Sequence, residues 1–382
     1  MGRFLTLGQP AALGSVERQI GRERPAHALM LVGPSQVGKT TLALDLAAGL
    51  QCQEPVPADR PCRECVSCRK VEHGNHPDLH VLRPEGAGEQ VKLGQVQELT
   101  GTLALLPMEG RFRVAIIESA HRLNLDAQNA LLKTLEEPPE ATCVILAVDD
   151  ESVILPTLRS RCAVLRLGTV SSPAVGELLA RHGLDASRAS SLSRLTAGRP
   201  GAALALARAP EASIVHARLS RSLLALVRAT TRARLAAARE LIAEGALLDE
   251  LLRPRTEIEA PHPVRVTTTP SPKRRAAPAP AARSATRAPA PAERRRAVAT
   301  LLAVWREVAR DLAVTAHGGA RHVAAVELLE DLTEAASAVD RSEIAAFLER
   351  LDTLARAIEG YANPELILDA LLLGWPRSRH VA

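Results

Sequence analysis

Eight residues restrict what this chain can fold into more than any other stretch. Gly33-Pro34-Ser35-Gln36-Val37-Gly38-Lys39-Thr40 fits the phosphate-loop pattern G-x-x-x-x-G-K-[ST]. The pattern carries chemistry only between a strand and a helix, because backbone N–H groups must turn inward ahead of a helix N-terminus. Both flanks are present: the apolar run Ala28-Leu29-Met30-Leu31-Val32 precedes the loop, and residues 41–50 read as a helix after it. Gly33 and Gly38 permit the turn, and Lys39 is placed for the β- and γ-phosphates of ATP. Thr40, followed by Thr41, is placed for its Mg²⁺. A chance glycine turn and a relic loop without nucleotide are the alternatives.

Other short apolar runs extend this into an α/β architecture. Val114-Ala115-Ile116-Ile117, Cys143-Val144-Ile145-Leu146-Ala147-Val148 and Ala163-Val164-Leu165-Arg166-Leu167 are continuous, as strands buried on both faces of a parallel sheet require. Residues 125–137 carry apolar side chains at helical spacing and stop at Pro138-Pro139. From about residue 169 the strand signal disappears. Residues 172–208 predict a small helical unit around the turn Gly198-Arg199-Pro200-Gly201, and 211–252 and about 296–373 predict further helices. Aromatic residues are only 2% of the chain, so Leu, Ala and Val must fill the interior, which suits helices.

Between them, residues 254–292 hold nine of the 26 prolines and almost no large apolar groups. Such a stretch cannot offset its chain entropy by burial and is expected to be disordered. The resulting division is 1–168 for the α/β module, 169–208 for a helical lid, and 209–382 for a helical domain interrupted at 254–294.

The charge is localised. Of the formal +5, residues 254–296 supply ten Lys/Arg against three Glu, which leaves the remainder slightly acidic. That excludes a broad basic groove on the folded parts. The basic stretch contains no Phe, Tyr or Trp for base stacking. No apolar run approaches the ~20 residues of a bilayer span, and no signal-peptide pattern opens the chain, so a cytoplasmic protein is expected.

In that compartment thiols stay reduced. Cys52, Cys62, Cys65 and Cys68 form C-x9-C-x2-C-x2-C just after the phosphate-loop helix. Four thiolates at this spacing suit a closed tetrahedral zinc site with a structural role. His73, His76 and His80 lie nearby in sequence but are surplus to such a site.

The tip of the 114–117 strand reads differently. ATP hydrolysis needs an Asp there to position Mg²⁺ and a Glu to polarise water. The chain has Glu118-Ser119-Ala120-His121. Glu118 can fill one of those roles, but Ser119, with a neutral hydroxyl, cannot fill the other. Nucleotide binding without efficient hydrolysis is the expectation.

Two long stretches then carry a family resemblance. Asn129-Ala130-Leu131-Leu132-Lys133-Thr134-Leu135-Glu136-Glu137-Pro138-Pro139 resembles the signature helix of bacterial DNA polymerase III clamp-loader subunits. Leu155-Pro156-Thr157-Leu158-Arg159-Ser160-Arg161-Cys162 resembles that family's Ser-Arg-Cys segment, and Asn75-His76-Pro77-Asp78-Leu79 and the cysteine cluster also fit. The likeness is good over about 20–210 and weak beyond.

The resemblance implies an AAA+ module with a zinc insertion, a small lid, and a helical collar that joins motor (gamma/tau) and delta subunits in a hetero-pentameric ring. The ring would load a sliding clamp on primed DNA. Arg161 would be an arginine finger reaching the γ-phosphate on the adjacent subunit, and Arg199 a contact to nucleotide in cis. Glu118-Ser119 favours the stationary delta-prime type over an active gamma/tau-type motor, which is the principal alternative. A zinc-containing protein that touches nucleic acid through its arginine-rich insert is a third reading.

Overall fold

The structure, a computed structural model, describes residues 2–84, 90–253, 291–359 and 362–378. The insert expected to be disordered lies, from 254 to 290, outside the described residues.

The first part of the chain alternates strands and helices: α1 (Pro10–Ile20), β1 (Ala28–Val32), α2 (Lys39–Gln51), α3 (Val66–Glu72), β2 (Leu79–Leu82), α4 (Leu93–Leu103), β3 (Arg113–Ile117), α5 (Leu125–Glu136), β4 (Thr142–Val148), α6 (Pro156–Arg159) and β5 (Ala163–Arg166). Local chemistry sets several of the boundaries. Pro10 opens α1 at a position where the missing N–H is not needed, and the Asn124 side chain caps α5 by accepting from the Ala127 N–H at 2.8 Å.

The strands form one parallel sheet in the order β2-β3-β4-β1-β5. Side chains alternate between its faces. Leu29, Leu31, Val114, Ile116 and Ile145 join α1 and α2 in one buried cluster. Met30, Ala115, Ile117, Val144 and Leu146 join α4 and α5 in the other. This is why β1, β3 and β4 are continuously apolar: both faces are covered, and each large aliphatic side chain buried there stabilises the fold by about 1.5–3 kcal/mol. β5, expected from its apolar run to be buried on both faces, is instead an edge strand with Ala163, Val164 and Arg166 exposed.

The connection from β1 runs past β4 and β3 to β2 at one edge, and the connection from β4 crosses β1 to β5 at the other edge. In such an open sheet the crevice at the strands' carboxyl ends, where the order reverses, is where ligands bind. The phosphate loop follows β1 at that position.

The remainder is helical: α7 (Ser172–Arg181), α8 (Ala186–Leu195), α9 (Pro200–Arg208), α10 (Pro210–Ala225), α11 (Thr231–Ala236), α12 (Ala238–Leu252), α13 (Pro291–Ala316), α14 (Leu329–Ala338), α15 (Arg341–Glu359) and α16 (Pro364–Gly374). One continuous apolar cluster runs through these helices from Val170 to Trp375. At its centre three of the chain's few aromatic residues meet. Trp305 lies 5.5 Å from both Phe347 and Trp375, and Phe347 and Trp375 are 4.7 Å apart, ring centre to ring centre. The Trp375 indole donates to the Leu223 carbonyl at 2.9 Å, so its one polar atom is satisfied in the core. Among the described residues no helix is long and apolar enough to cross a membrane.

Candidate functional site

The phosphate loop takes its shape from two backbone features. Gln36 and Gly38 both adopt positive φ, 63° and 105°, and Gly38 sits at the N-cap of α2, where a left-handed residue turns the chain into the helix. Lys39 follows and is almost fully buried; Thr40 and Thr41 occupy the first turn, partly exposed. The Lys39 ammonium donates to the Gly33 carbonyl at 2.7 Å and the Pro34 carbonyl at 2.6 Å. It also pairs with the Asp149 carboxylate at 2.6 Å.

Asp149 was not among the residues singled out from the sequence. Strand register places it: β1 and β4 pair Val32 with Val148, so Gly33 and Asp149 leave the sheet side by side, and the Gly33 N–H donates to the Val148 carbonyl at 3.2 Å. The Asp149 N–H donates to Nδ1 of His121 at 3.3 Å. Burial holds that imidazole below its usual pKa, against the opposing pull of Asp149, so it stays a neutral acceptor. The apolar run 143–148 followed by an acid was the only signal available in the sequence. It could not be used without knowing which strand lies beside β1.

Glu118 leaves β3 one strand farther out and pairs with Arg83, at 3.1 Å. Ser119 follows with φ 53°, a left-handed conformation that is costly for a residue with a side chain and common at functional sites. The acid read from the sequence as the metal-holding group therefore faces Arg83, and the acid beside Lys39 is Asp149.

The helical part reaches the loop through its glycine turn. The Gly201 N–H donates to the Gln36 carbonyl at 2.9 Å, and a Cβ on Gly201 would lie 3.0 Å from that oxygen. The approach is tight: a side chain at 201 would press on the loop backbone by a few tenths of an ångström. Arg199, two residues earlier, turns away from the loop. Its guanidinium donates to the Thr196 carbonyl at 3.0 Å and pairs with Glu307 of α13, whose carboxylate also accepts from His216 Nε2 at 2.9 Å. The structure thus brings Gly33, Gly38, Lys39, Thr40 and Thr41 together, and sets Arg199 in an ion-pair cluster linking α9, α10 and α13.

Arg161 lies at the other end of the sheet. β5 pairs Ala163 with Leu29 near the start of β1, so the residues just before β5 sit where strands begin. β1 is five residues long, so the phosphate loop is roughly 16 Å away along the strand direction. Arg161 is partly exposed, donates to the Thr157 carbonyl at 2.9 Å and pairs with Glu136 of α5 at 2.8 Å. Next to it, burial pushes the Cys162 thiol up to about 11, which keeps it protonated.

The four cysteines converge. Their sulfur atoms all lie within 4.8 Å of one another, with Cys52 and Cys68 buried. The chain folds into a sulfur-binding knuckle: the N–H groups of Cys62, Cys65 and Cys68 donate to the sulfurs of Cys52, Cys62 and Cys65, each at 3.4 Å. Burial opposes ionisation of Cys62, but the N–H donors of Glu64 and Cys65 overcome it and lower the thiol to about 7. Burial raises Cys52 and Cys68 instead. A shared cation is the natural counter-charge for such a set, and the donor set and closure fit tetrahedral Zn²⁺.

The knuckle is fastened to α2: Arg63 pairs with the fully buried Asp45, whose carboxylate also accepts from the Thr6 N–H at 2.8 Å and hydroxyl at 2.6 Å. One zinc per chain is expected by colorimetric metal release. Cys65→Ser should lower that content and loosen the N-terminal segment to protease, since its anchor Asp45 loses a braced partner. Full protease resistance after complete metal removal would argue against this coupling.

Comparison with known proteins gives a consistent set of relatives. Residues 8–171 match the family described as DNA polymerase III, delta subunit. A DNA polymerase III subunit delta' of Pseudomonas aeruginosa is 40% identical over 161 residues, which are 42% of this chain and 49% of that protein. A subunit delta' of Bacillus subtilis is 31% identical over 188 residues, 49% of this chain and 56% of that one. A subunit gamma of Buchnera aphidicola is 35% identical over 173 residues, 45% of this chain and 47% of that one. The chain spans about half the length of the curated relatives it matches.

Proposed function

The chain belongs to the clamp-loader AAA+ family of DNA polymerase III subunits, and we propose that it is the delta-prime-type, stationary member of the loader ring. In this reading it organises as an AAA+ module (1–168), a lid (169–208) and a collar (209–382). It assembles with motor and delta subunits, and helps an ATP-driven ring place a sliding clamp on primed DNA.

The observation that carries the reading is the position of Arg161. It is presented at the edge where strands begin, across the sheet from its own phosphate loop, and so is suited to serve a neighbour's site. Its partner Glu136 is also exposed. An ion pair of this kind contributes at most about 1 kcal/mol. A neighbour's γ-phosphate can therefore replace Glu136 at little cost. A guanidinium offered to a transferring phosphoryl group stabilises its developing charge through paired donors.

The chain's own site supports the same reading. Lys39, Thr40 and Thr41 would hold the phosphates and Mg²⁺ of a bound nucleotide, and the metal would supply charge neutralisation between the phosphates. A carboxylate suited to polarise water is harder to assign: Glu118 is engaged with Arg83, and Ser119 is neutral. Nucleotide held here would act as a structural ligand. The intact loop pattern and the gamma-type relative favour a second reading, an active motor subunit.

The test is assembly. Mixed with the motor and delta subunits of its own source, the chain should co-elute as one hetero-pentameric species by size exclusion with mass detection. Failure to enter any complex with them would remove the proposal.

A further inference from the structure

The Lys39 ammonium has three donors, and three acceptors lie within 2.6–2.7 Å of it: the carbonyls of Gly33 and Pro34 and the carboxylate of Asp149. A phosphate entering the loop must therefore take the place of one of them. Asp149 is the charged member of the three, and its side chain is 31% exposed to solvent.

Its position is fixed from behind. The β1–β4 register sets it beside Gly33, and its N–H is held on His121. The neighbouring acids are committed elsewhere: Glu118 to Arg83, and Asp150 to the N–H of Ser152 at 2.8 Å, which it caps. A carboxylate in this position has two opposite effects on nucleotides. Toward a metal-free phosphate chain it repels and competes for Lys39. Toward a Mg²⁺-charged chain it is a hard oxygen donor of the kind that cation requires.

We propose that Asp149 is the specificity-determining residue of the nucleotide site, excluding metal-free nucleoside phosphates from the loop and admitting their Mg²⁺ complexes. The proposal rests on the reading of residues 33–40 as a nucleotide site. It gives the acid after β4 the metal-facing role that the tip of β3 leaves open. The loop in this chain is then a gated binding site whose occupancy follows Mg²⁺ as well as nucleotide.

The experiment measures binding of a fluorescent N-methylanthraniloyl ADP to the full chain, in excess Mg²⁺ and in buffer freed of Mg²⁺ without chelator, so that the zinc knuckle stays loaded. Wild type, Asp149→Asn, Asp149→Ala and Lys39→Ala are compared, with zinc content and melting temperature confirming that each is folded. Wild type should bind the probe about tenfold or more tighter with Mg²⁺, within the usual range for coupling between two ligands. Both Asp149 variants should bind the metal-free probe about tenfold tighter than wild type and lose most of the Mg²⁺ preference. Asp149 variants whose metal-free affinity and Mg²⁺ preference equal those of wild type would overturn the proposal, and so would an absence of binding in all of them. Lys39→Ala separates the two readings. If it binds the probe as wild type does, the loop is not the nucleotide site. If it loses binding while the Asp149 variants behave as wild type, the loop stands and the role of Asp149 falls.

Discussion

Replacing Arg161 with alanine is expected to lower DNA-stimulated ATP turnover of the assembled ring by about a thousandfold or more, with the ring intact. The magnitude is that of losing an arginine finger supplied by a neighbouring protein. It follows from where Arg161 sits: partly exposed, bonded to the Thr157 carbonyl and Glu136, at the strand-start edge. Nothing in the chain's own nucleotide site depends on it, so binding of nucleotide to this subunit should be unaffected. Arg161→Lys should recover only part of the loss, because an ammonium lacks the planar fork that binds two phosphate oxygens at once. Glu136→Ala should leave turnover near wild type, since the proposed role belongs to Arg161 and an exposed ion pair of this kind contributes little. Equal losses in Glu136→Ala and Arg161→Ala, accompanied by dissociation of the ring, would instead mark the pair as an interface contact.

The second large effect concerns stability. Arg234 of α11 is fully buried with no carboxylate among its hydrogen-bond acceptors. Its guanidinium donates to the carbonyls of Ala229, Leu372, Val227 and Pro376 at 2.9–3.3 Å, and to Trp375. These are the carbonyls at the end of α16 and of the loop before α11, and a cation complements the negative end of a helix. Burial, reinforced by the nearby Arg377 charge, lowers the guanidinium to about 10, so it remains charged at neutral pH. Arg234→Leu removes the donors and leaves the acceptors buried. At about 1–3 kcal/mol for each unsatisfied group, partly relieved by relaxation, the expected loss is about 4 kcal/mol. Urea unfolding followed by tryptophan fluorescence reads it directly, because Trp375 is one of the residues released. A loss below about 1 kcal/mol, the scale of a single ordinary hydrogen bond, would contradict this account of the buried arginine.

Much of the α/β half was legible in the sequence because its signals are local. Four of the five strands are continuous apolar runs, and the loop pattern fixes a strand before it and a helix after it. The fifth, Leu79-His80-Val81-Leu82, carries only a weak signal because it is a short edge strand with a histidine in it and only one fully buried residue. The cysteine spacing was enough to anticipate that four sulfurs meet.

What the sequence could not disclose depended on strand order and long-range packing. Asp149 matters because β4 lies beside β1, and Arg161 lies opposite the loop because β5 pairs with β1 in a particular register. Parallel strands are joined by helices, so their order is not written in any one segment. The family resemblance implies a nucleotide contact for Arg199, whereas its guanidinium pairs with Glu307. Its partner Glu307 is 108 residues away, and only the packing of α9 and α10 on α13 brings the two together. The same packing joins Val170 to Trp375 in one apolar cluster, a continuity that periodicity within single helices does not reveal.

The central claim is that this chain acts at its neighbour's ATP site and not through chemistry at its own. The most direct measurement is DNA-stimulated ATP turnover by two rings that differ only in this subunit, one carrying Lys39→Ala and the other Arg161→Ala. The account predicts that turnover survives loss of Lys39 and collapses on loss of Arg161. Collapse with Lys39→Ala and survival with Arg161→Ala would contradict it and identify the chain as a motor.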